Sequence, residues 1–246
     1  MVLAAVLAMQ TASAQSTAPG AELKTIFQSG IDAIEQGKYN DAIRQGEAFK
    51  ASVVKAMGPG TPNEAYGNLL IAMGHSYQNQ SSEAAEFGSR AYRAFGSALG
   101  PTDINTLAAG TLLAGDLAKT GAVVAARSLL DTLVKQGVER SPAAADYYLS
   151  KSVVERFGKD YPASERAARE SLKLTVEKSG LESDAAASRL FVLAQVLALQ
   201  PAKAQEAQRT LVQAREIAAR TYGPQHPRTA EMMAYRVNVP DAATKK

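Results

Sequence analysis

Tyr222-Gly223-Pro224-Gln225-His226-Pro227-Arg228-Thr229-Ala230 reads as a helix stop followed at once by a helix start. Glycine accepts the left-handed conformation at a helix C-terminus, and proline just beyond it cannot continue the hydrogen-bond ladder. The pattern recurs upstream as Gly58-Pro59-Gly60-Thr61-Pro62-Asn63-Glu64 and Gly100-Pro101-Thr102-Asp103. Weaker copies are Gly137-Val138-Glu139-Arg140-Ser141-Pro142 and Gly180-Leu181-Glu182-Ser183-Asp184. The glycines at 58, 100, 137, 180 and 223 are separated by 42, 37, 43 and 43 residues. A sustained period of about this size marks a repeat array.

Each interval divides into two amphipathic helical stretches. Leu23, Ile26, Phe27, Gly30, Ile31, Ala33 and Ile34 keep helical spacing up to Gly37, and Tyr39–Met57 follows with Ile43, Phe49, Val53 and Val54 on its apolar side. The next pairs run from Asn63 to Gln78 and Ser82 to Leu99, then from Asp103, an N-cap residue, to Lys119 and on to Gln136. The 37-residue interval shortens the second helix of that third pair by about one turn. The fourth pair opens at Ser141-Pro142, with Ser as cap and Pro at the first helical position, and turns at Gly158-Lys159-Asp160. The fifth opens at Ser183-Asp184 and turns near Gln200-Pro201. No alternating runs of Val, Ile and Thr suggest strands. The expected fold is all-α, a right-handed solenoid of five helix pairs plus a capping helix. Its repeats are 21–58, 63–100, 103–137, 141–180 and 183–223, with the cap at 227–236 and a frayed tail at 237–246.

The N-terminal run Val2-Leu3-Ala4-Ala5-Val6-Leu7-Ala8-Met9 precedes Ala12-Ser13-Ala14, an A-x-A cleavage pattern, although no Lys or Arg comes before it. The run is too short for a bilayer, which takes about 20 apolar residues. The expectation is a signal peptide over 1–14, cleaved after Ala14, then a Ser/Thr/Pro/Gly linker over 15–20, and a periplasmic or secreted product with no stable membrane insertion. An uncleaved, cytoplasmic chain is the alternative. The 246 residues contain no cysteine, so disulfides, thiolate nucleophiles and Cys-based zinc sites are excluded. A net charge of +3 carried by interspersed residues gives no nucleic-acid footprint.

The joints resemble those of the tetratricopeptide repeat (TPR) family in its longer form of about 42 residues, as in kinesin light chains. Gly223-Pro224-Gln225-His226-Pro227-Arg228-Thr229 fits that form's G-x-x-H-P-x-T, and the joints at Gly58 and Gly100 fit in part, without the His. The family's small residue and Tyr-x-x-Ala are visible in Gly30 with Tyr39-Asn40-Asp41-Ala42, and its Gly and Tyr in Gly74-His75-Ser76-Tyr77. Gly158-Lys159-Asp160-Tyr161 resembles Gly37-Lys38-Tyr39 with one residue inserted. The resemblance implies a non-catalytic scaffold that holds a protein or extended peptide in a groove lined by the first helix of each pair. Carried over by register, the groove positions are Lys24, Phe27 and Ile31; Asn68, Ile71, His75 and Gln78; and Tyr148, Ser152 and Glu155. Leu107, Ala114, Ser188, Phe191 and Gln195 follow from the period alone.

Chemistry is sparse. Only His75 and His226 are present, which leaves no room for a His-rich metal site and little for a nucleophile–His–acid triad. No Gly-rich phosphate loop follows a strand. Asp116, on an otherwise apolar helix, is the one candidate buried acid, expected to bond a neighbouring helix. Arg215, Arg220, Arg228 and Arg236 gather loosely near the C-terminus with Tyr222 and Tyr235 between them; solvated faces are the default and an acid-facing patch the alternative. The expected function is therefore an exported scaffold without catalytic residues, metal or cofactor. Two alternatives stay open: a self-assembling module using Met232 and Met233, or a cytosolic adaptor in signalling or transcription.

Overall fold

The computed structural model describes residues 18–238. The expected signal peptide, the first half of the linker and residues 239–246 of the tail lie outside them. Eleven α-helices and no strand occur among the described residues: α1 Ala18–Glu35, α2 Tyr39–Met57, α3 Glu64–Tyr77, α4 Ser81–Leu99, α5 Ile104–Lys119, α6 Val123–Lys135, α7 Ala144–Phe157, α8 Tyr161–Ser179, α9 Asp184–Ala198, α10 Ala204–Thr221 and α11 Pro227–Ala234. They form five pairs and a last short helix. Ala18–Gly20, expected as linker, already belongs to α1.

The joints are where the sequence puts them. Gly58, Gly100, Gly137, Gly180 and Gly223 all have positive φ, between 78° and 90°. At Gly58 the pair φ 85°, ψ 166° is closed to residues with a Cβ, and the Gly58 amide donates to the Val54 carbonyl at 2.9 Å to end α2. Asp103 caps its helix as expected, its carboxylate accepting from the Asn105 amide, and Ser183 caps the start of the fifth pair, its hydroxyl accepting from the Ala186 amide. The fourth pair differs in detail. Val138–Arg140 makes a 3-10 turn, and Ser141 Oγ accepts from the Ala143 amide, so α7 starts at Ala144 rather than at Pro142. The second helix of the third pair, α6, has 13 residues against 19 in α4, the shortening expected from the 37-residue interval.

Turns inside the pairs reveal a second punctuation. Gly37 (φ 71°), Asn79 (φ 59°), Gly121 (φ 91°) and Lys159 (φ 62°) each sit two residues before an outer helix begins. Lys159 thus takes the slot of Gly37, and no inserted residue is needed in the fourth pair. Asn is among the side chains that tolerate this conformation; Lys is a less common occupant.

The helices gather into two compact units, residues 1–150 and 151–246, whose boundary falls within α7. In the first, consecutive helices from α1 to α6 pack on one another, and α3 also touches α1 and α5. This explains why Ala65–Gly74 is buried without interruption. Its centre is a set of edge-on rings: Tyr66 lies 5.7 Å from Phe27, 6.3 Å from Phe49 and 4.8 Å from Phe95. Such geometry suits the ring quadrupoles, and truncating a buried Phe costs about 3–5 kcal/mol. In the second unit α8, α9, α10 and α11 pack in succession. Ala187, Leu190, Phe191, Leu211, Ile217 and Met232 form part of a core rich in alanine.

Candidate partner-binding face

Fixing the register by the turn residues changes the groove assignment. Lys24, Phe27 and Ile31 precede Gly37 by thirteen, ten and six residues; the same offsets from Asn79 give Tyr66, Leu69 and Met73. From Lys159 they give Asp146, Leu149 and Val153. The small residues used as anchors are not equivalent. A Cβ on Gly30 would meet Leu70 of α3, whereas one on Gly74 would meet Ile43 of α2.

The sequence-derived positions therefore scatter. Phe27, Ile31, Ile71 and Ser152 are 2% exposed or less and belong to the interior, offering no surface to a ligand. Ser152 bonds Ser164 across the α7–α8 contact. Asn68 is buried, with its Oδ1 lacking a hydrogen-bond partner. His75 turns toward its own outer helix, its ring stacked 5.9 Å from Phe87 and its Nδ1 2.6 Å from Gln80 Oε1. Gln78 donates to Asn40 of α2 at 2.8 Å. Lys24 is exposed, Tyr148 is half-buried with its hydroxyl donating to Glu139 at 2.8 Å, and Glu155 is half-buried. Leu107 and Ala114 are core residues. In the first unit the inner helices thus close on one another. A polar crossing from α3 to α5 is made by Ser76 Oγ, which donates to Asp116 Oδ1 at 2.8 Å, where Lys119 Nζ also donates at 2.9 Å. Asp116 is the buried acid expected. Burial pushes its carboxyl above the ordinary range, while Lys119 and the hydrogen bonds pull it back.

The second unit is different, because extended polypeptide lies on the face of α9 that the period assigns to the groove. His226 starts α11: its Nδ1 accepts from the Arg228 amide at 3.1 Å, and its ring stacks on Tyr222 at 4.6 Å. This is the structural role expected of it. Tyr222 reaches α9, its hydroxyl 2.9 Å from Ser188 Oγ and donating to the Asp184 carbonyl at 3.1 Å. The helix then stops early. Arg215 donates to the carbonyls of Met232 at 2.9 Å and Tyr235 at 2.5 Å, and Tyr235 turns out of the helix at φ −64°, ψ 143°.

From there the chain runs extended. Tyr235 sets its ring edge-on to Phe191 at 5.5 Å. Val237 packs against the apolar clusters that include Phe191, Leu193 and Leu197. Tyr235 and Val237 are half-buried while Arg236 and Asn238 are exposed, the alternation of a strand-like segment lying on a surface. Beside it, Arg156 of α7 donates to Gln195 of α9 at 2.8 Å. Burial lowers the Arg156 pKa, and the proximity of Tyr235 and Glu231 opposes that shift.

The sequence predicts a cap helical to residue 236 and a frayed tail beyond it. Instead the helix ends at Ala234, and Tyr235 and Val237 are packed. Two apolar residues, Tyr235 and Val237, are too short an alternation to give a periodic signal of this packing. The basic cluster is spent internally: Arg215 on helix-end carbonyls, Arg220 on Glu182, Arg228 on Glu231, and Arg236 on the Met233 and Tyr235 carbonyls. Of the two methionines offered for self-assembly, Met232 is fully buried and Met233 is exposed. Among the described residues no helix is long and apolar enough to cross a membrane.

No protein-family model matches the chain, and no curated protein matches it by sequence. Solved structures do. A putative kinesin light chain from Podosopora anserina, described as nearly identical TPR-like repeats, is 18% identical with a TM-score of 0.54, over 84% of this chain and 98% of that one. BtubC (BKLC) from P. vanneervenii is 14% identical with a TM-score of 0.59, over 99% and 94%. The apo form of RapI is 15% identical at 0.50, over 88% of this chain and 59% of its own. At these identities the likeness is one of fold, and with the joints and pairing described above it gives this chain an all-α TPR-like repeat fold of the kind the Gly223–Thr229 joint resembles.

Proposed function

We propose that the chain is an exported, non-catalytic scaffold that holds an extended peptide or a peptide-like segment of a protein on the inner helices of its repeats, with α9 as a seat. The observation that supports this most directly is that the α9 face accommodates extended polypeptide, with rings and aliphatic side chains on alternate residues. An extended backbone sends alternate side chains to one side, so two contact points on α9 can read two of them. The TPR-like fold supports a protein-interaction scaffold in general terms.

A displayed library of random peptides, screened against the full chain and against an Arg156→Ala/Gln195→Ala variant, tests the seat. Enrichment of sequences that the variant no longer retains is the expected result; identical enrichment by both, or none, refutes it. Export rests on the apolar run and Ala12-Ser13-Ala14. The intact mass of the protein made in a Gram-negative host checks it, with an N-terminus at Gln15 expected and an uncleaved chain as the refuting result.

A further inference from the structure

We propose that Tyr235–Val237 is a built-in competitor for the α9 seat, so that a partner binds there only by displacing the chain's own segment, and that the partner carries an aromatic residue followed two positions later by a branched aliphatic one. This rests on the reading of α9 as a peptide seat and adds its specificity and its regulation.

Three features of the segment support displacement rather than permanent burial. Its hold on α9 consists of two side chains, the Tyr235 ring on Phe191 and Val237 on the neighbouring apolar clusters. Both remain only half-buried, while the residues between and after them face solvent. Its path is set from behind, by Arg215 on the carbonyls where α11 ends, and not by backbone pairing with α9. Met232, by contrast, is fully buried, as is Thr229, and with the His226 cap these residues anchor α11 within its own span. The segment can leave while α11 stays.

The motif follows from geometry. In an extended chain, residues i and i+2 fall on the same side, so the two contact points on α9 select a pair with one residue between. The edge of an aromatic ring meets Phe191 favourably. Gln195, held by Arg156, puts a polar group on α9 one turn beyond Phe191. The occupancy sets the size of the competition: a seat that the chain's own segment fills about nine-tenths of the time weakens a free rival about tenfold.

The test uses the full chain and a Tyr235→Ala/Val237→Ala variant, with the peptide Ala-Tyr-Arg-Val-Asn, copied from residues 234–238, as probe. Two-dimensional NMR follows the amides of α9. The expected result is that the peptide shifts amides around Phe191–Ala198 in the variant at concentrations at least about tenfold lower than in the wild type, and that a peptide with Ala in place of Tyr and Val shifts none. Equal, measurable binding to both proteins overturns the competitor while leaving the seat. Absence of binding to both removes the seat and, with it, the competitor. A wild-type dimer that forms with rising concentration and disappears in the variant overturns the proposal in favour of segments exchanged between copies. Should the double variant lose its helical signal, Arg215→Gln carries the same comparison: it frees the segment's start without touching its two contact side chains, and unchanged peptide affinity there overturns the proposal.

Discussion

Gly67→Ala sets two sizeable effects against each other, and the structure says which wins. Where α2 crosses α3, a Cβ on Gly67 would stand 2.7 Å from the Gly46 carbonyl oxygen and 2.5 Å from Lys50 Cγ. Lys50 can swing aside; the carbonyl belongs to the backbone of a packed helix and cannot. Forcing a methyl into a filled contact costs about 1–3 kcal/mol, while replacing Gly by Ala within a helix returns about 1 kcal/mol. The net expectation is a loss of up to about 2 kcal/mol. Gly88 provides the control, since it is also helical and buried, but its nearest neighbour would be Leu113 at 3.7 Å, an ordinary contact. Gly88→Ala should therefore gain up to about 1 kcal/mol. Urea unfolding followed by far-UV circular dichroism separates the two, with the midpoint moving in opposite directions at unchanged slope. A Gly67→Ala midpoint at or above that of the wild type refutes the close crossing of α2 on α3.

Glu165 of α8 is pushed up by burial but held down further by hydrogen bonds from Lys203, Gln200 and Arg169, to about 2 against 4.5. A depressed acid stabilises the fold above its unfolded value and loses that contribution as pH falls, so at most about 3 kcal/mol disappears between pH 4.5 and about 2. Acid titration of stability should show this loss reduced in Glu165→Gln; an unchanged profile would mean the network around Glu165 contributes nothing. His226→Ala removes the cap of α11 and the stack on Tyr222, which should cost about 1–2 kcal/mol, while His226→Asn, another good cap, should recover part of it. Thermal denaturation checks this, and an alanine variant as stable as the wild type would refute the structural role.

Much of the fold is legible because backbone geometry writes directly into residue type. A helix stop at φ 85°, ψ 166° needs glycine, so Gly58 and its counterparts announce the joints whatever packs around them. His226-Pro227 is legible for the same reason, as a cap followed by a residue with no amide to satisfy. The groove is not. Gly30 and Gly74 look alike in sequence, yet one makes room for Leu70 and the other for Ile43, so using both as anchors puts Asn68, Ile71 and His75 out of step with Lys24, Phe27 and Ile31. The true markers, Asn79 and Lys159, are poor signals because neither residue type demands positive φ. The contact of Tyr235 with Phe191 is hidden too, since an alternation of only two apolar residues carries no periodic signal.

The joint glycines have a consequence for how such a chain can change over generations. Around Gly58, Gly100, Gly180 and Gly223 no neighbouring atom lies within 4 Å of where a side chain would begin. Their identity is therefore dictated by local chain path alone and owes nothing to which repeat stands on either side. A genetic duplication or deletion whose ends fall in these joints transfers a helix pair with its own stop and start intact, and at Gly58 it also gives new partners to the α2 and α3 surfaces that meet at Gly46 and Gly67 across that joint. The joints are where this chain can be lengthened or shortened by inheritance.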